Sequence, residues 1–272
     1  MVKKIFARAY VSFVLLLMYL PIFLLIIFSF LSSEVVGIVT PSDYLTLELY
    51  GKLFRNQAAM QALLNTLLVG FSSAAVSTVL GTLGAIGVYY MKQRSKQAME
   101  LVTQLPVINA EIVIALSLAI LFIVLGWQAG FLTLLVGHVV LTVAFVYLSV
   151  KPKLQQMDPS IYEAALDLGA KPGYAMRKVI LPEIIPGIVS GFLLALTLSL
   201  DDFIITLFLK APSFETLSTY VENQLRIGIP PEIRALTTLI FLFAVGVFVF
   251  NGMKTKAEAK KKTLAFHKEE RK

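Results

Sequence analysis

Long apolar runs separated by short charged stretches decide most of what this chain can become. The first, Tyr10 to Leu31, is about 22 residues long, and a helix needs roughly 20 to cross the hydrocarbon of a bilayer. Six spans can be drawn: Tyr10 to Leu31, Ala62 to Met91, Ala98 to Leu125 with an interruption at Pro106, Phe131 to Val150, Ile184 to Leu209, and Ala235 to Gly252. Only 15% of the 272 residues are charged and the mean hydropathy is +0.80, far from a soluble domain. The expectation is an all-α polytopic membrane protein with six transmembrane helices.

Lys3, Lys4 and Arg8 precede the first run, as in a secretory signal. Its apolar stretch exceeds the roughly 7–15 residues of a signal core and meets no clear cleavage site, so it reads as a retained helix. The second span carries Gly70, Ala74, Ala75, Ser77, Gly81, Gly84 and Gly87. Small residues three and four apart let helix backbones approach closely in lipid, which predicts a central place in the bundle.

The basic residues set the orientation. With six spans, one side holds 3 Lys/Arg before the first span, 3 in 92–96, 5 in 151–178 and 8 from Lys254 onward. The other side holds only Lys52, Arg55, Lys210, Arg226 and Arg234. Positive charge stays inside, which predicts cytoplasmic termini. The net charge of +7 lies between apolar runs and in the tail without aromatic interleaving, which argues against nucleic acid. The organisation is then a cytoplasmic N-terminus (1–9), one transmembrane domain (10–252), a cytoplasmic polar insert (151–183) and a basic cytoplasmic tail (253–272).

Several chemistries are excluded. There is no cysteine, hence no disulfide, thiolate metal site or cysteine nucleophile. His138 and His267 are far apart and form no metal cluster. His138, in an apolar run, reads as a packed, hydrogen-bonded side chain rather than a ligand. With no nucleophile elbow, paired histidines or cysteine, no catalytic residue is assigned and an enzyme is not expected.

The polar insert is helix-prone. Asp158 can cap a helix that opens at Pro159. Gly169 can end it in the left-handed conformation and Pro172 blocks its resumption. A second short helix is expected over Tyr174 to Val179, with the fifth span starting beyond it. No G-x-x-x-x-G-K-[ST] loop is present, so the chain cannot bind ATP in that way.

Acids occur at membrane depth in two places. Thr197-Leu198-Ser199-Leu200-Asp201-Asp202-Phe203 lies within an apolar run. An Asp at the centre of a span costs about 2.5–3.5 kcal/mol on insertion scales, so such residues default to a pathway role. Counting about 1.5 Å per residue puts Asp201 about 28 Å along the helix from Pro182, and Glu111 about 20 Å from Ala98. The pair either lines a path or sits in outer interfacial water. Glu111 either meets a cation or is protonated and bonded to Asn109 or Ser117.

The insert carries a resemblance. Glu163-Ala164-Ala165, three residues, Gly169, nine residues, then Val179-Ile180-Leu181-Pro182 resembles the EAA loop of ABC-importer permeases, E-A-A-x3-G-x9-I-x-L-P, with Val179 where isoleucine is usual. Ser199-Leu200-Asp201-Asp202-Phe203, Pro212-Ser213-Phe214-Glu215 and the run from Gly228 to Leu236 resemble the PotC-type permease of polyamine importers. The resemblance covers about residues 10–252 and implies a MetI-like permease fold with its core at about 62–252.

It also implies a non-catalytic subunit of a bacterial inner (plasma) membrane. The partners would be a second, different permease, an ABC ATPase dimer and an extracytoplasmic polyamine-binding protein. This chain would hold no cofactor; ATP and Mg would be bound by the ATPase. The implied coupling residues are Glu163, Ala164, Ala165, Gly169, Leu181 and Pro182, and the implied path residues are Glu111, Ser199, Asp201 and Asp202. Lys210 and Ser218 depart from the family pattern. The alternatives are an importer of an amino acid, a sugar or an inorganic ion, and a membrane scaffold that carries nothing.

Overall fold

The apolar runs fold as helices, because only a helix satisfies every backbone N–H and C=O within one segment in lipid. A computed structural model describes residues 2–33, 40, 44–227, 230–242 and 245–246. The helices are α1 (Val2–Ser29), α2 (Glu48–Arg55), α3 (Gln57–Tyr89), α4 (Gln93–Ile108), α5 (Glu111–Val124), α6 (Phe131–Gln156), α7 (Pro159–Asp167), α8 (Pro172–Ala175), α9 (Leu181–Asp201), α10 (Ile204–Leu209) and α11 (Leu217–Ile227). The chain divides into two units, Met1–Gln57 with Gln224–Lys272, and Ala58–Asn223.

In the first unit, α1 exposes nearly all of its apolar surface over Tyr10–Ser29. Its end is tied down locally. Ser29 Oγ and Tyr50 OH are 2.9 Å apart, the Phe30 and Tyr50 rings pack at 5.4 Å, and Leu31 bridges to Leu45. Arg234 donates to the Phe28 carbonyl at 3.3 Å. The short amphipathic α2 buries Leu49 and Leu53.

The second unit is built on α3, α6 and α9. Close approach is set by glycine. A Cβ on Gly81 would stand 2.7 Å from Val146 Cβ, and one on Gly187 would stand 3.0 Å from the Ser149 carbonyl oxygen. Gly70 likewise meets Leu200, whereas Gly84 and Gly87 have nothing within 4 Å. The small-residue run of α3 therefore packs on one face only, and Ala75 is exposed while Ala74 is buried.

Four helices among the described residues are long and apolar enough to cross a membrane, or five if a bent pair counts as one span. Of the sixth expected span, 235–252, residues 235–242 and 245–246 are described and helical, and the rest lie outside the described residues. The expected third span is the bent pair: α4 and α5 meet at 103°. Pro106 is accommodated inside α4, and the break falls just after it, where Asn109 and Ala110 are extended. Counting along a straight helix therefore does not give the depth of Glu111.

Two other boundaries differ from expectation. Tyr174 to Val179 is not a separate helix. Pro172 sits at a helix N-terminus, where its missing N–H is harmless. From there α8, a π-helical turn (Met176–Ile180) and α9 run on as one 30-residue helix, Pro172–Asp201. The fifth span does not continue unbroken to Leu209. It stops at Asp201 and restarts as α10, because the Asp202 side chain takes over the N–H groups that a continuous helix would bond internally.

Candidate functional site

The insert opens as the residues dictate. Asp158 Oδ1 accepts the Ser160 N–H at 3.0 Å, and this hydrogen bond holds the Asp158 carboxyl below the usual aspartate range. Gly169 adopts φ +85°, closing α7 with its N–H on the Leu166 carbonyl. Glu163 and Ala164 face out, Ala165 is half-buried, and Leu181 and Pro182 are exposed at the start of α9.

The insert also exposes apolar residues that the sequence reading passed over. Leu168 is 89% exposed, and Ile161 and Tyr174 are exposed beside it in the chain. Leu168 immediately before a left-handed glycine was the available signal.

The insert is anchored to the spans behind it. Met157 and Ile180 belong to one buried cluster with Val88 of α3, Val150 and Leu154 of α6, and Ile184 of α9. Tyr162 and Met176 pack against that cluster, and the Tyr162 and Tyr90 rings are 5.9 Å apart. Lys151 of α6 pairs with Glu100 of α4 at 2.9 Å.

The second constellation lies at the break between α9 and α10. The four path candidates divide. Asp201 and Glu111 are exposed, whereas Asp202 and Ser199 are buried. Glu111 stands in the first turn of α5, where the helix dipole favours a carboxylate. It lies within electrostatic reach of both Asp202 and Asp201. Ser117 donates to the Val113 carbonyl at 2.7 Å, so that hydroxyl proton is not given to Glu111.

The adjacent aspartates have different work. The Asp202 carboxylate accepts the Ile205 N–H at 3.2 Å, the Thr206 N–H at 2.8 Å and the Thr206 hydroxyl at 2.9 Å. It caps α10. Its own carbonyl accepts from Ser218 Oγ at 2.7 Å. Lys210 ends α10 half-buried, with its N–H on the Thr206 carbonyl.

Behind the cap runs a buried polar chain. His138 Nε2 is 3.1 Å from Thr206 Oγ1, and Nδ1 is 2.6 Å from Ser199 Oγ. Ser199 Oγ in turn is 2.9 Å from Ser73 Oγ, and Ser77 Oγ is 2.7 Å from Thr142 Oγ1. Thus α3, α6, α9 and α10 are stitched by side chains, and His138 is the packed, hydrogen-bonded residue that its apolar setting suggests. Thr206 and Ser73 were missed from sequence. The four-residue spacings of Ser73 with Ser77 and His138 with Thr142 place each pair on one helix face and were the usable signal.

No group of three or more His, Asp or Glu able to hold a metal is found among the described residues. Glu111 and Asp201 are exposed carboxylates within electrostatic reach of one another, set among apolar helices, and such groups attract cations.

Comparison with known proteins agrees with this architecture. A putrescine transport system permease protein, PotI of Escherichia coli (strain K12), is 37% identical over 254 residues, covering 91% of this chain and 89% of its own. A spermidine/putrescine transport system permease protein, PotC of the same strain, is 31% identical over 263 residues, covering 97% and 98%. The fold matches the structure of a bacterial ABC transporter that imports the acidic polysaccharide alginate, at TM-score 0.70 and 16% identity over 91% of this chain and 93% of that one. It also matches the MetNI methionine ABC transporter in an inward-facing conformation, at TM-score 0.55 and 18% identity over 73% and 96%. The family model for the binding-protein-dependent transport system inner membrane component matches residues 1–262, and the chain belongs to that family.

Proposed function

We infer that this chain is a permease subunit of an ATP-driven polyamine importer in a bacterial inner membrane. It pairs with a second, different permease to form the path. It docks on an ABC ATPase dimer through the insert, and receives solute from an extracytoplasmic polyamine-binding protein. The chain is not itself catalytic; ATP and Mg are held by the ATPase. The observation that carries the reading is similarity to two polyamine permeases along about nine-tenths or more of each chain. The grouping of Glu111 with Asp201 and Asp202 supports a cationic solute over an anionic one.

The helix geometry supplies a mechanism. The helix Pro172–Asp201 has 30 residues, about 45 Å at 1.5 Å per residue. Its first turns belong to the insert and its last residue is Asp201. Motion imposed on α7 by the ATPase crosses the turn between Leu168 and Lys171 into this helix, which carries it to the acid at the far end. The termini, the insert and the tail stand in the cytoplasm. Attraction at Glu111 and Asp201 is kept modest because a tight site traps the ion it should pass.

Uptake of labelled putrescine and spermidine by the reconstituted complex tests the reading. Uptake that needs ATP and in which the two compounds compete supports it. ATP-dependent uptake of an amino acid, a sugar or an inorganic ion, with none of either polyamine, refutes it.

A further inference from the structure

Among the described residues, the buried polar chain around His138 is the largest set of unexposed polar side chains left without a task by the transport reading. Each hydroxyl has one proton to give, and the protons can be followed. Thr206 gives its proton to Asp202 Oδ2 at 2.9 Å, so at 3.1 Å it can only accept from His138 Nε2. Nε2 therefore carries a proton. Ser199 meets the other ring nitrogen at 2.6 Å, and Ser73 stands behind it at 2.9 Å. His138 Nε2 is also 3.5 Å from Asp202 Oδ2 itself, and both side chains are essentially unexposed.

The arrangement gives the imidazole two arms. One arm, through Nε2 and Thr206, bears on the carboxylate that caps α10. The other, through Nδ1 and Ser199, bears on the last turn of α9, two residues before Asp201. His138 thus bonds to side chains on both sides of the break. Gly137, next to His138, lets α6 approach so closely that a Cβ there would overlap Leu209 and Ile205 of α10. The backbone contact and the imidazole together hold α6 against the break.

We propose that His138 is a positioning residue for transport, fixing through Thr206 and Asp202 where the exposed carboxylate of Asp201 stands at the end of α9. The role of Asp201 rests on the transport reading above; the position of Asp201 does not. His138 touches no solute. It sets the angle at which the helix stops, and thereby the depth and direction of the acid. Loss of the Nε2 arm leaves Thr206 and Asp202 without their tie to α6, held by α10 and by the Ser218 hydroxyl on the Asp202 carbonyl, and the stop is free to shift relative to α6. Loss of the Nδ1 arm leaves Ser199 still bonded to Ser73.

The two arms can be separated by substitution. Glutamine extends an amide to where Nε2 stands and keeps the Thr206 arm. Asparagine reaches only as far as Nδ1 and keeps the Ser199 arm. Phenylalanine keeps the volume and neither arm. The chain has no cysteine, so Asp201→Cys provides its one thiol.

The assembled complex in lipid vesicles is treated with a small cationic methanethiosulfonate, and the labelling rate of Asp201→Cys is compared in four backgrounds: His138, His138→Gln, His138→Asn and His138→Phe. In parallel, with Asp201 intact, putrescine uptake is measured for the three His138 variants. The expected result is labelling within twofold of the parent for His138→Gln and at least tenfold altered for His138→Asn and His138→Phe. Uptake should follow the same order, and glutamine should be the one rescue. If His138→Phe fails to assemble, the glutamine–asparagine contrast decides alone. Equal labelling in all assembled backgrounds, or asparagine matching glutamine, overturns the proposal. Absence of polyamine uptake in the parent complex overturns the transport reading instead, and the labelling still decides the positioning role.

Discussion

Asp201 and Asp202 are neighbours in sequence with opposite surroundings, and truncating each should separate stability from transport. Asp202 is 6% exposed and its carboxylate receives three hydrogen bonds. Asp202→Ala removes the acceptor for the buried N–H groups of Ile205 and Thr206. Each buried donor left unpaired costs about 1–3 kcal/mol, while the Thr206 hydroxyl can turn elsewhere, so the loss should be about 2–6 kcal/mol. Asp202→Asn keeps one acceptor and should fall between alanine and the parent. Asp201 is exposed, receives no bond on this scale, and surface substitutions typically stay within about 0.5 kcal/mol. The assay is the thermal midpoint of the assembled complex in lipid nanodiscs, followed through this chain. At roughly 2–4 °C per kcal/mol, Asp202→Ala should lower it by about 4–24 °C and Asp201→Ala by about 2 °C or less. Equal shifts for the two variants, or none for Asp202→Ala, would refute the assignment of Asp202 as a cap.

Further outcomes follow from the insert and the helix contacts. Gly169→Ala places a side chain at φ +85°, at a local cost of about 1–2 kcal/mol. It should lower ATP-driven uptake by distorting the end of α7, although nothing lies within 4 Å to clash with the methyl. Asp158 has a depressed folded-state pKa, so its contribution to α7 is present above the unfolded aspartate value and is lost as pH falls through the folded one. Hydrogen exchange of α7 should therefore accelerate below about pH 4. In Asp158→Asn that acceleration should be absent, and an unchanged pH profile would count against the cap. Gly187→Ala drives a methyl against the Ser149 carbonyl and the Val150 backbone, at about 1–3 kcal/mol. Gly84→Ala meets nothing within 4 Å among the described residues and should be neutral or slightly stabilising in a melt.

What could be read in advance depended on how local its cause was. The break at Gly169 was legible because one residue both supplies the left-handed conformation and ends the helix. Pro172 was read as a block when it is a start; the same ring serves both, and position relative to the helix end decides. The stop at Asp201 was not legible, because a carboxylate in an apolar run reads first as a charge seeking a cation. That Asp202 turns back on Ile205 and Thr206 while Asp201 faces out depends on His138, 64 residues earlier, being packed behind it. The bend after Pro106 was similarly hidden. Proline marks a weak point in a helix, but the 103° angle is a property of what α4 and α5 pack against. Ser218, seen in sequence only as a departure from the family pattern, has a positive role in holding the Asp202 carbonyl.

The central claim is that an ATP-driven motion entering at the insert moves a cation past the acid at the other end of one helix. The most direct test is the initial rate of labelled putrescine uptake by reconstituted complex carrying Asp201→Asn, with ATP hydrolysis followed in the same vesicles. The account predicts that uptake falls at least tenfold while hydrolysis still responds to the loaded binding protein. Uptake at the parental rate would contradict it.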